Sequence, residues 1–149
     1  MESNFFEDYE VNCKNQRAKN EVLLDEFDAW LRAKGLKEST VRNHQMNIDL
    51  YINRYLLYDD VVDPAGGIFN VDGFLGDWFI RKAMWANVAA VRTNAASIKK
   101  FYTFMHENGA ISKEALQGLK EHIKEDLPEW LETMQRYDDP GIDLDDVFW

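Results

Sequence analysis

Cysteine is nearly absent: Cys13 is the only one in 149 residues. That excludes an internal disulfide and any thiolate metal cluster built from one chain. Histidine is scarce, and His44, His106 and His122 lie far apart with no HExxH or comparable ligand spacing. Each reads as a helix-surface or boundary residue. GxSxG, Walker and GxGxxG motifs are missing, and Gly66 with Gly67 cannot alone cradle a phosphate. The "DLDD" near the end lacks the glycine and closing glutamate of a calcium loop. No enzymatic activity, cofactor or metal is therefore expected. A run of about 18 apolar residues able to span a bilayer is lacking. The opening MESNFFEDYE is acidic where a secretory leader would be basic and then apolar. A cytoplasmic, reducing location without membrane contact is the expectation.

Basic charge is also in short supply, with 17 Lys and Arg against 27 Asp and Glu and a net charge of −10. Taken globally this opposes nucleic-acid binding, because neutralising phosphates supplies most non-specific affinity. The distribution qualifies the sum. The acid is concentrated at residues 1–13, 58–80 and 125–149, whereas 14–57 and 81–124 are each net basic.

What is present is core material, 46% apolar and 13% aromatic, in a length suited to one domain. Leu23, Leu24, Phe27, Trp30 and Leu31 recur at three- and four-residue spacing and predict a first helix over 17–34, stopped by Gly35. Ser39 is the expected N-cap of a second helix with Val41, Ile48, Ile52 and Tyr55 inward. Residues 58–73 read as a long loop. Asp72 is expected to cap a short helix through Phe74, Leu75, Trp78, Phe79 and Met84, too apolar for the surface. A fourth helix spans about 87–108, with Val88, Val91, Ala95, Ile98, Tyr102 and Met105 inward and Gly109 as its stop. A fifth, capped by Ser112, buries Leu116, Leu119 and Ile123. Pro128 is expected to break it before a last short helix, 129–137. No alternating strand pattern appears. The expected organisation is an acidic segment (1–16), one all-α domain (17–137) and an acidic tail (138–149).

Two helices carry polar shoulders. On the second, Thr40, Asn43, Asn47 and Arg54 cluster on one side of the buried stripe and Arg42 lies on the other. On the fourth, Arg92, Lys99, Thr103 and His106 share a stripe, with Lys100 beside it. From the residues alone the plainer reading is two solvated faces whose cations pair with surplus acids at little gain. The functional reading assigns Thr40, Arg42, Asn43, Asn47, Arg54, Arg92, Lys99 and Lys100 to phosphates and base edges of duplex DNA. It requires both shoulders to face the same way. Most aromatics fall on or beside core stripes and read as packing rather than as stacking platforms. Phe148 and Trp149 are exceptions: an acidic tail ending in two aromatics could dock on a groove and cover the basic surface.

The stretch "LLDEFDAWLRAKGLKESTVRNHQMNIDLYINRYLL" followed by "AAVRTNAASIKKFYTFMHENGAIS" resembles the SAM-like, core-binding N-terminal domain of phage-integrase tyrosine recombinases. Gly35 with Leu36, Ser39 with Thr40, and the run from Ser97 to Ile111 carry the likeness, which covers residues 17–112. The resemblance implies a compact orthogonal bundle of roughly four to six helices that grips duplex DNA as half of a C-shaped clamp. Its second and fourth helices would face the DNA, placing Thr40, Asn43, Asn47, Arg92, Lys99 and Lys100 near it. The recombinase catalytic domain, with its arginines, histidines and nucleophilic tyrosine, has no counterpart here. A non-catalytic DNA binder or recombination accessory factor is the first expectation. The alternative is a protein interaction module, such as a recombinase inhibitor whose acidic ends mimic DNA.

Overall fold

A computed structural model describes residues 5–138, and the four residues before them and the eleven after lie outside the description. Helix α1 (Phe5–Ala33) ends at Gly35, which takes the left-handed conformation at φ +81°. Helix α2 (Glu38–Asp49) runs directly into a π-helical segment, π1 (Leu50–Tyr55). A 3-10 turn (Gly66–Phe69) leads to α3 (Val71–Gly73), a second π segment, π2 (Phe74–Trp78), and α4 (Phe79–Lys82). The two long final helices are α5 (Val88–Glu107) and α6 (Lys113–Asp138). The described residues contain no strand, which agrees with the all-α expectation. Among them no helix is long and apolar enough to cross a membrane.

Helix α5 is the central element. Val91, Ala95, Ile98, Tyr102 and Met105 are buried, as the spacing predicted, and Phe101 and Phe104 join them. Its cap is Asn87, whose side-chain oxygen accepts the Ala90 amide at 2.7 Å. Phe27 of α1 meets Phe101 edge-on at 5.3 Å between ring centres, and Leu116, Leu119, Ile123, Trp130 and Met134 of α6 close the other side. Each such buried side chain contributes about 1.5–3 kcal/mol through area removed from water.

The structure departs from the sequence reading at six places. First, α1 begins at Phe5 rather than Arg17. Its early inward residues are polar or small: the Tyr9 hydroxyl donates to the Leu57 carbonyl, Cys13 is buried, and buried Asn20 donates to the Ile52 carbonyl at 3.1 Å and to Asn53 Oδ1 at 2.8 Å. An aliphatic stripe is thus replaced by a hydrogen-bonded one.

Second, α2 starts two residues early. Lys37 occupies the N-cap without a side-chain bond, so Ser39 caps nothing.

Third, π1 widens the helix by one residue per turn, marked by the Leu56 amide bonding to the Tyr51 carbonyl at 2.9 Å. Leu50, Tyr51 and Ile52 all turn inward as a result, and Tyr55 is left half-buried.

Fourth, the 58–73 loop is pinned rather than merely connecting. Tyr51 and Tyr102 donate to the carbonyls of Gly67 (2.5 Å) and Pro64 (2.7 Å), and a Cβ on Gly67 would sit 2.4 Å from Leu56 Cδ1.

Fifth, Asp72 caps nothing; its carboxylate accepts the Trp130 indole N–H at 2.9 Å, and Met84 is 98% exposed.

Sixth, α6 continues through Pro128, because Trp130 and Met134 anchor its second half in the core. Ser112 does cap it, accepting the Ala115 amide at 3.1 Å.

Candidate functional site

The outward face of α5 carries Arg92, Ala96, Lys99, Lys100 and Thr103, spaced to lie on one side of a helix whose opposite side is buried. Helix α6 packs beside it and adds Lys120 and Lys124, one turn apart. Between them lies a groove of about 850 Å³ lined by these five cations and by Trp30 of α1. Its floor is apolar, formed by Ala96, Ile123, Leu127, Pro128 and Leu131. Among the described residues no carboxylate lines it. Among the described residues none of the five cations forms an ion pair, in contrast to Arg32 with Asp28 and Glu38, Arg81 with Asp77, and Arg136 with Glu132. On a chain of net charge −10 five unpaired cations on one concavity form a strong local field, raised further by the low-dielectric floor.

A second, more polar groove of about 420 Å³ lies between α2 and α5 and shares Ala96 with the first. Thr40, Asn43 and Asn47 line it, together with His44, Ser97, Met46 and Trp85. Buried Ser97 is its hub: Asn47 Nδ2 donates to the Ser97 oxygen at 3.0 Å, and His44 Nδ1 lies 2.7 Å from that oxygen. Burial first, and then the positive charge of Lys100, lower the His44 pKa below its usual value. Neutral His44 can accept the Ser97 proton at Nδ1, so the serine hydroxyl donates once and accepts once.

The eight residues singled out from the sequence therefore divide. Arg92, Lys99 and Lys100 line the cationic groove, and Thr40, Asn43 and Asn47 line its neighbour, although the Asn47 amide is committed to Ser97. Arg42 and Arg54 are exposed but line neither groove. Arg42 sits near Glu38, whose carboxyl is held below its usual pKa mainly by its hydrogen bonds to Arg32 and to a lesser extent by the charges of Arg32 and Arg42. Lys120 and Lys124 were missed. The signal was there: in "LKEHIKED" each lysine precedes a glutamate, so the local sum is near zero while the two signs point about 100° apart.

The histidines are also less isolated than their spacing suggested. His122 Nδ1 lies 3.0 Å from Asp126 Oδ2, and Asp72 joins them so that three candidate ligand atoms fall within 4.8 Å of one another. Imidazole with two carboxylates is a donor set that divalent cations accept. Here Asp72 is exposed and already bonded to Trp130, and the other two bond each other.

The chain matches no protein-family model, no curated protein and no solved structure. The functional argument accordingly rests on the chemistry of the grooves.

Proposed function

We propose that this chain is a non-catalytic DNA-binding domain that holds the phosphate backbone of a duplex in the groove between α5 and α6. The observation that carries the reading is the set of five cations, Arg92, Lys99, Lys100, Lys120 and Lys124, around one concavity, with no ion pair and no lining carboxylate among the described residues. Packed helices lie about 8–10 Å apart, so one phosphate strand between the α5 and α6 rows would meet cations on both sides. Thr40 and Asn43, at the adjoining groove, supply neutral donors of the kind that fix register on a backbone. The resemblance to the integrase clamp implies DNA on the second and fourth helices, α2 and α5, of which α5 lines this groove and α2 only the adjoining one. It also supports a recombination accessory role.

A second reading, a protein interaction module, is favoured by one observation: Met46 and Trp85 line the polar groove yet are 65% and 57% exposed. Large apolar side chains held open beside polar ones are typical of protein contacts.

The test compares two double charge reversals that change net charge equally. Lys99→Glu with Lys124→Glu alters the groove, and Arg42→Glu with Arg54→Glu alters exposed sites outside it. With a labelled random-sequence duplex at about 50 mM salt, the groove pair is expected to weaken binding roughly a hundredfold and the outside pair only a few-fold. Equal losses would remove the groove from the account, and binding of a protein partner through Met46 and Trp85 without any DNA affinity would favour the second reading.

A further inference from the structure

We propose that Asp72, His122 and Asp126 form a binding site for one divalent transition cation of the zinc class, which ties the α3 segment to α6. The site does not depend on the DNA reading and faces away from the cationic groove. His122 follows Lys120 by two positions, as Asp126 follows Lys124, and two positions are about 200° around a helix.

The histidine spacing in the sequence shows no ligand pattern because the third donor comes from a separate element. His122 and Asp126 stand one turn apart on α6, and the fold brings Asp72 of α3 to them. One candidate ligand atom from each lies within 4.8 Å of the other two. An imidazole nitrogen disfavours calcium and magnesium, which take oxygen ligands, and two carboxylates offset the charge of a divalent ion. Three protein ligands leave a position for water, as in open zinc sites.

The distances fit with little movement. Bonds of about 2.0–2.2 Å to one ion put adjacent ligand atoms about 3.0–3.6 Å apart. His122 Nδ1 and Asp126 Oδ2 already lie 3.0 Å apart, so an ion at that edge takes the place of the proton they share. Asp72, the most exposed of the three, has the remaining distance to close.

A buried side chain from outside the donor set holds two of the donors. Trp130 is 3% exposed and donates its indole N–H to Asp72 Oδ1 at 2.9 Å. One carboxylate oxygen is thereby oriented and the other is left for an ion, which is how outer hydrogen bonds position metal ligands. Gly76 makes room for that bond: a Cβ there would lie 2.9 Å from Trp130 Nε1 and 3.4 Å from Asp72 Oδ1. The same indole meets the His122 ring edge-on at 6.0 Å between centres. The adjoining concavity of about 320 Å³ is lined by Asp72, Asp77, Asp126 and Glu129, and among the described residues by no cation. Asp77 pairs with Arg81, and the others draw positive charge to the site.

The experiment titrates zinc chloride into the full, untagged chain after treatment with a chelator. Calorimetry should give one site per chain. In a histidine-selective nitrogen spectrum zinc should move the ring signals of His122 and leave those of His44 and His106 in place. His122→Ala, Asp126→Asn and Asp72→Asn should each weaken zinc binding by about tenfold or more, whereas Glu121→Gln with Glu125→Gln, exposed acids of the same helix, should leave it within about twofold. Asp72→Asn keeps an acceptor for Trp130 and Asp126→Asn keeps the side-chain volume, so a loss with an unchanged circular dichroism spectrum is the loss of a ligand. Calcium and magnesium should bind at least about tenfold more weakly than zinc.

Binding that needs more than about 1 mM zinc would overturn the proposal. So would calcium or magnesium binding as tightly as zinc, or full zinc affinity in any of the three ligand variants. Equal losses from the exposed glutamate pair, or all three histidine rings moving together, would show diffuse attraction to an acidic surface and would overturn it as well.

Discussion

His44 shows how one residue links the core to the groove. Its Nδ1 faces buried Ser97, and burial with the nearby Lys100 charge holds its pKa below the unfolded value of about 6.5. The unfolded chain therefore binds the proton more readily, and stability rises with pH wherever it does so. The contribution of neutral His44 is complete above about pH 6.5 and is lost as pH falls from there through the depressed folded value. Thermal melts should show a step of lost stability below about pH 6.5 that His44→Gln flattens; a native pH profile level down to the carboxylate range would contradict this. The acidic limb from Glu38 and Asp77, both depressed mainly by hydrogen bonds from Arg32 and Arg81, lies lower and is separable. At this scale the sequence reveals residue types but not partners. Asn47 has the composition of a DNA-facing residue, yet its amide is spent on Ser97, because only the fold brings α5 within reach.

Elements whose core contacts are aliphatic and regularly spaced are legible in the sequence, which is why α5, with Asn87 before it and Gly109 at φ +86° after it, was placed to within a residue. Three devices hide the remainder. The inward line of early α1 is Tyr9, Cys13 and Asn20, which a hydrophobic period cannot register. A π turn at Leu50–Tyr55 breaks the 100° step on which every wheel depends. Pro128 is a strong local stop that tertiary burial overrides, since seating Trp130 and Met134 offsets a helix-interior proline costing about 3 kcal/mol. It follows that Pro128→Ala, which restores the missing amide bond, should raise stability by about 1–3 kcal/mol in denaturant or thermal unfolding. A loss of stability would mean that the α6 backbone is bent there for a packing reason.

Across the whole molecule the governing feature is segregation of charge. Among the described residues, the carboxylates that outnumber the cations of this chain of net charge −10 stay out of the lining of the groove, so an electronegative protein presents an electropositive concavity. Helix order placed α5 and its basic stripe in the sequence reading. The second row on α6, and the lack of carboxylates in the described lining of the groove, needed the packed structure, because adjacent Lys-Glu pairs cancel in any linear sum. The salt dependence of duplex affinity tests this arrangement most directly. In the native chain, neutralising about five phosphates gives a slope of log affinity against log salt near −4.5, a loss of roughly 500-fold between about 50 and 200 mM. Lys99→Glu with Lys124→Glu should bind more weakly with a shallower slope, since fewer phosphates are then neutralised. Affinity that is absent from the native chain at low salt, or that ignores both salt and the reversal of Lys99 and Lys124, would contradict the account.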